Sequence, residues 1–254
     1  LREDTLRSAN AAVVNHHHTL PLSSVWGGGT MSSSDGQRFP MRGKSLTARA
    51  LSRYFVDEGV STYTHVSDQH STYGTKVIPV TDREAVYVLD EILGNATDLP
   101  ITEHTTDTAG QTLTVFSLFA LTGFTLSPRI RDLGGITLHR LGSRKELTSV
   151  FPNAGKLLTG TVDVGLIRSQ WDQMLRLAAS LKYGHATASF VVGKLHASSR
   201  RSAIAPALVE FGGLQRTIYA LRYLADEAYR RRITRQLNKG ESLHSMRRDL
   251  FFAH

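Results

Sequence analysis

The chain has 254 residues, 41% hydrophobic and 20% charged, enough to bury a substantial core as one large domain or two small ones. It has no cysteine, which excludes disulfides and thiolate metal sites and suits a reducing, cytoplasmic compartment; with no apolar run of about 18 residues, no helical membrane span is expected. A net charge of +8 and a pI near 9.9 favour a polyanionic partner.

The chain begins at Leu1 with neither an initiator Met nor a basic-then-apolar leader, and it stops at Phe251-Phe252-Ala253-His254. It is therefore expected to be an excised piece of a longer protein without a secretory signal. The first 25 residues read as irregular, and His16-His17-His18 reads as native sequence, with a metal site there the lesser reading. Trp26-Gly27-Gly28-Gly29 then leads into a strand over Thr30–Phe39, and residues 40–56 read as a loop. Alternation predicts a hairpin from residues 62–66 and 72–80 with its turn at Ser67–His70. Thr81 and Glu84 form a capping box for a helix with Ala85, Val86, Leu89, Ile92 and Leu93 on one face. A strand follows over Ile101–Asp107. Gln111–Phe124 is apolar nearly all round and reads as a buried helix, and Thr125–Ile130 as a strand in which Pro128 marks an edge or a strand end.

This succession of strand, hairpin, helix, strand, helix, strand is that of an RNase H-like α/β core, a mixed sheet flanked by helices. From residue 132 to 237 the periodicity is helical, over 167–183, 187–196, 203–224 and 226–237, with no further strand. The expected organisation is a core over 1–131, an α-helical insertion over 132–237, and a return to the core over 238–254.

Three acidic residues sit in short polar cassettes: Ser32-Ser33-Ser34-Asp35-Gly36-Gln37, His104-Thr105-Thr106-Asp107-Thr108-Ala109-Gly110 and Leu237-Asn238-Lys239-Gly240-Glu241. Asp35 and Asp107 are 72 residues apart and Glu241 lies 134 further on. Two aspartates and a late glutamate suit a site that holds two hard divalent cations through oxygen and performs in-line displacement at a phosphodiester. Each also has an ordinary reading. Asp35 is half of an Asp-Gly turn dipeptide, Asp107 an N-cap for the buried helix, and Glu241 the partner of Asn238 in a capping box. On the last helix, Leu243, Met246 and Leu250 share an apolar face, and Glu241, His244 and Arg248 the opposite one. Between Arg222 and Asp249 eight basic residues face four acidic ones, which concentrates half the net charge around Glu241. Arg231, Arg235, Lys239 and Arg248 are the candidate phosphate contacts.

A GTPase is the competing enzyme reading. Asp107-Thr108-Ala109-Gly110-Gln111 resembles a magnesium switch, Gly43-Lys44-Ser45 the end of a P-loop, and Asn238-Lys239-Gly240-Glu241 a guanine reader. The P-loop glycine is replaced by Arg38, Pro40 lies inside the loop, and the guanine reader has Glu for Asp. His-Glu-x-x-His and Gly-x-Ser-x-Gly spacings are both missing, which argues against a zinc hydrolase or a serine hydrolase. A DNA-binding or assembly module without an active site remains the alternative of a different class.

Taken together, the three cassettes resemble the catalytic domain of the replicative DDE transposases of the Tn-three family. Also similar to that family are Trp26, Tyr63 to Gln69, Thr75 to Ile78, Pro128 to Leu133, Trp171-Asp172 and Leu177 to Ser180. The resemblance implies that Asp35, Asp107 and Glu241 are a DDE triad binding two Mg²⁺, with Mn²⁺ substituting. It implies nicking at transposon 3′ ends and attack of the 3′-OH on target DNA, by a homo-oligomer assembled on paired ends in the bacterial cytoplasm. It also implies an RNase H-like fold with a helical insertion before the third acidic residue, in a family whose members are much longer and carry DNA-recognition regions N-terminal to this one.

Overall fold

The computed structural model describes residues 2–40, 49–50, 58–79, 87–107, 112–198, 202–251 and 253. Its centre is a mixed sheet built from β1 (Met31–Pro40), β2 (Arg49–Ala50), β3 (Glu58–Ser67), β4 (Thr72–Pro79), β5 (Glu103–Thr105) and β6 (Thr125–Leu126). β3 runs antiparallel to β1 on one edge, while β4 and β2 share its other edge. On the far side of β1, β5 and then β6 pair in parallel, so β6 is the edge strand that Pro128 foretold. The hairpin and the strand after Gly29 lie where expected, whereas the strand expected over Ile101–Asp107 is confined to Glu103–Thr105 and stops two residues before Asp107. The capping box at Thr81 and Glu84, the loop over 41–48 and 51–57, and the Gly43-Lys44-Ser45 motif lie outside the described residues. Within the expected 40–56 loop, Arg49 and Ala50 pair with Gly59 and Glu58.

Eight helices are described: α1 (Glu3–Thr19), α2 (Val88–Leu93), α3 (Leu113–Thr122), α4 (Arg144–Val150), α5 (Val164–Lys182), α6 (Ala188–Ser198), α7 (Ile204–Ala225) and α8 (Glu227–Phe251). None is long and apolar enough to cross a membrane. α3 is the buried helix. Its N-cap is Thr112, whose side chain accepts from the Val115 N–H at 3.3 Å, and Gly123 ends it at φ +90°, a value suited to glycine. Asp107 is therefore not its cap.

Three expectations are corrected. The first 25 residues are not irregular: α1 and a 3-10 turn at Pro21–Val25 occupy most of them. The last turn of α1 is the histidine run. His17 Nδ1 lies 2.7 Å from Ser71 Oγ and His18 Nδ1 2.8 Å from Gln69 Oε1, which ties the helix to the β3–β4 turn. The helical stretch also contains strands. β7 (His139–Arg140) and β8 (Gly160–Thr161) pair in parallel, too short to show a period of two, with Arg140 donating to the carbonyls of Leu158, Thr159 and Gly160. The last helix, finally, does not begin at Asn238: Asn238-Lys239-Gly240-Glu241 lies in the middle of the 25-residue α8. Neither a capping box nor a guanine-reading loop exists there.

One apolar core joins the sheet to the helical stretch, from Ile78 and Val88 through Phe119 to Met174, Leu208 and Ile233. Each of these side chains is at most 2% exposed, and each such burial stabilises by about 2–3 kcal/mol. α7 also reaches the chain after β6, where Tyr219 donates to the Pro128 carbonyl and Tyr223 to that of Ile130.

Beneath β1 is a buried polar layer. His104 on β5 sits between Ser32 and Ser34, with Nδ1 2.7 Å from Ser32 Oγ and Nε2 2.8 Å from Ser34 Oγ. Tyr73 donates to Ser32, and Ser34 pairs with the Tyr63 hydroxyl at 2.6 Å. The His65 ring is 5.3 Å from that of His104. Burial is the main cause that drives His65 down to about 3, helped by the nearby Lys76 ammonium, and burial likewise holds His104 well below the usual histidine range. In the unfolded chain both titrate near 6.5, so below that pH the unfolded state binds more protons and stability falls. Each ring is expected to cost up to about 1.4 kcal/mol per pH unit between about pH 6 and pH 4. The urea midpoint should drop between pH 7 and pH 5, and a midpoint that stays level would refute neutral buried rings.

Candidate active site

The Ser32–Gln37 cassette is a strand, and strand geometry sends its side chains alternately to two faces. Ser32 and Ser34 turn to His104. Ser33, Asp35 and Gln37 turn the other way, to α8. That helix crosses the sheet on its buried stripe of Tyr229, Ile233, Gln236, Leu237, Gly240 and His244, spaced at helical intervals. It first meets β5, where Tyr229 donates to Glu103 Oε1 and Arg232 to Glu103 Oε2, both at 2.5 Å. Over β1, Gln236 Nε2 donates to Ser33 Oγ at 3.1 Å and to the Val66 carbonyl at 3.0 Å, while Ser33 donates to the Gln236 carbonyl. A Cβ at Gly240 would sit 3.8 Å from Ser33 Oγ, so there is room for a methyl and little more. Past Gly240, Gln37 Nε2 donates to the His244 carbonyl and Arg247 donates to Thr64 and Thr72 on β3 and β4.

These contacts bring Glu241 beside Asp35. Both line an open cleft of about 530 Å³, with Gln37, His244 and Arg248. His244 Nδ1 is 3.2 Å from Asp35 Oδ2, and the other carboxylate oxygen accepts from the Gly36 N–H at 2.8 Å. The Asp35 side chain is 46% exposed and that of His244 only 8%. His244 Nε2 is buried and has no partner among the described residues.

Asp107 follows β5 directly and is exposed; it does not line this cleft. The parallel register ends at the pairing of Ser33 with Thr105, two residues short of Asp35 on β1 and two short of Asp107 in the chain after β5. Among the described residues, no three His, Cys, Asp or Glu side chains stand close enough together to hold a metal ion; residues 108–111 beyond Asp107 are not described.

The four candidate phosphate contacts separate. Arg248 lines the cleft. Arg231 is paired with Glu227 one turn away at 2.6 Å, on the outer side of the helix. Arg235 and Lys239 face a second groove, and the Lys239 ammonium donates to the Asp68 carbonyl. The opposition of faces on α8 is also reversed. Met246 and Leu250 are 53% and 66% exposed, whereas His244 is buried against the sheet. His244 shared the Glu241 face in the sequence, but its contact with Asp35 was not foreseen, nor were the bonds of Gln236 and Gln37.

The fold is a mixed α/β domain in which an aspartate of the central strand shares an open cleft with a glutamate and an arginine of a crossing helix, an arrangement consistent with a DDE domain. The chain belongs to the family described as Tn3 transposase DDE domain, whose profile matches residues 1–254. It is 42% identical over 250 residues to the transposase for transposon Tn1546 of Enterococcus faecium, covering 98% of this chain and 25% of that protein. It is 41% identical to the transposase for transposon Tn501 of Pseudomonas aeruginosa and 40% to that for transposon gamma-delta of Escherichia coli K12, each over 253 residues. In both, 99% of this chain and 25% of the relative are covered, so the chain spans about a quarter of the length of these relatives. No solved structure matches it.

Proposed function

We propose that this chain is the catalytic domain of a DNA transposase that nicks transposon 3′ ends and transfers the freed 3′-OH into target DNA. The observation that carries the reading is the crossing of α8 over β1, which puts Glu241 and Asp35 in one cleft, with Asp107 two residues past the end of the neighbouring strand β5. The strand order, hairpin outermost, then β1, β5 and β6, supports an RNase H-like core. The stretch from 132 to the start of α8 is then the mainly helical insertion. The proposed bounds are 1–131, 132–237 and 238–254, with α8 running across the last of these boundaries and meeting β5 at Tyr229.

Asp35, Asp107 and Glu241 offer only hard oxygen donors, which fit Mg²⁺, with Mn²⁺ as substitute. Asp35, Asp107 and Glu241 are the residues that would hold the ions. When bound, such ions activate the attacking oxygen and neutralise the leaving one. The protein side is legible in the residues. His244 and the Gly36 N–H each hold one oxygen of Asp35, fixing its carboxylate plane. Arg248, at the cleft, supplies a planar donor for a phosphate oxygen. Transposon ends and target DNA are the partners, with assembly of a homo-oligomer on paired ends.

Calorimetric titration of Mn²⁺ in the presence of short duplex DNA tests this reading. Asp35→Asn and Glu241→Gln should each weaken binding at least about tenfold, about 1.4 kcal/mol. Identical isotherms for the wild type and both variants would separate the carboxylates and leave a binding module without its own chemistry.

A further inference from the structure

The first half of α8 walls a groove of about 830 Å³ that the phosphodiester cleft does not use. Its opposite wall is the segment Val25–Thr30. Four cations line it: Arg222, Arg232, Arg235 and Lys239, against the carboxylates of Asp68 and Asp226. Trp26 stands at its edge, 57% exposed, its ring 5.0 Å from that of His70 in an edge-on arrangement. An indole left this open is unusual unless something covers it, since burying an aromatic ring is worth more than almost any other side-chain burial.

The groove is built rather than incidental. Asp68 Oδ1 accepts from the Gly29 N–H at 2.9 Å, and a Cβ at Gly27 would lie 2.4 Å from Asp68 Cγ, so the chain wraps this carboxylate closely. Lys239 donates to the carbonyls of Asp68 and Trp26, which fastens the tryptophan segment to α8. Arg222 and Arg232 flank the Tyr229 ring, at 4.0 and 5.3 Å from its centroid. Arg232 is partly engaged by Glu103, whereas Arg222 and Arg235 are exposed to the groove.

Resting on the function proposed above, we infer that this groove holds an unpaired DNA strand flanking the phosphodiester at Asp35 and Glu241, with a base on Trp26 and its phosphates along Arg222, Arg235 and Lys239. An open indole face accepts any unstacked base, and cations along a groove follow a backbone without reading sequence. The helix sets the spacing. Arg235 precedes Glu241 by six residues, a rise of roughly 9 Å along the axis, on the order of two to three nucleotide steps at about 3.4 Å each. A duplex presents no base face to Trp26, so the groove selects a strand that has been opened.

The chain has two tryptophans, so Trp171→Phe, which keeps a ring against Phe211, leaves Trp26 as the only indole emitter. In EDTA, a twelve-nucleotide oligothymidine should quench Trp26 emission at least tenfold more tightly than a blunt duplex of the same length. Adding Arg235→Glu should weaken that quenching about tenfold with an unchanged thermal midpoint. Anisotropy of a labelled oligonucleotide separates the failures. DNA that binds without quenching Trp26, or quenching indifferent to Arg235→Glu, overturns the groove and leaves the phosphodiester reading standing. A chain that binds neither strand nor duplex at low salt and cuts neither with Mg²⁺ present overturns both.

Discussion

Asp107→Asn will abolish nicking and joining, by about a thousandfold or more, roughly 4 kcal/mol of transition-state stabilisation, while duplex affinity changes little. The substitution conserves size while replacing the charged carboxylate by a neutral amide, and α3 takes its cap from Thr112 rather than from Asp107. The result is informative because Asp107, unlike Asp35 and Glu241, does not line the cleft. Asp98→Asn, at an exposed loop carboxylate, is the control and should cost nothing measurable. Strand transfer retained by Asp107→Asn in an oligonucleotide assay would remove this residue from the chemistry.

Gly212→Ala is expected to destabilise the fold by about 3 kcal/mol, lowering Tm by roughly 6–12 °C. In an ordinary helix this change would stabilise by about 1 kcal/mol through propensity. Here the new Cβ would lie 1.9 Å from the Leu113 carbonyl oxygen and 2.6 Å from its carbon, both backbone atoms in the first turn of α3. Ser117 of α3 is at the same time bound to the Leu208 carbonyl of α7, so the helices cannot slide apart locally without losing a buried hydrogen bond. The steric term is the larger. A calorimetric scan showing an equal or higher Tm would mean the helices cross with more slack than described. Because α3 follows Asp107 in the chain, a displaced α3 should also reduce activity of whatever remains folded.

The sheet was legible where alternation was long, as in the strand after Gly29 and the hairpin around Ser67–His70, and α3 was legible because it is apolar on every side. The helix α1 was not. Only Ala11 and Val14 of its seventeen residues are buried, and its last turn is three histidines held by the β3–β4 turn, a tertiary reason no local pattern carries. The continuity of α8 was hidden by Asn238 and Gly240, which read as terminators. Lys239 bonded to the Asp68 carbonyl and Gly240 set against Ser33 keep the helix going where propensity favours a stop. The reversed faces of its last turns have the same origin. A polar stripe packs on the sheet because Gln236 bonds to Ser33, His244 meets Asp35 and Gln37, and Arg247 donates to Thr64, so apolarity is a poor guide to burial there. The acidic cassettes were visible from residue type and order, but which groups orient Asp35 depended on long-range packing.

The two-faced β1 cassette has a consequence for how this segment tolerates change. An ordinary surface strand answers a saturation scan with a saw-tooth, sensitive at every second position. From Ser32 to Asp35 no position is spare: His104 claims Ser32 and Ser34, Gln236 claims Ser33, and His244 meets Asp35. Its fitness profile should be a plateau of intolerance, with alanine at Ser33 nearly as harmful as at Ser34. Such a segment drifts slowly, because almost any single step breaks a bond on one side or the other.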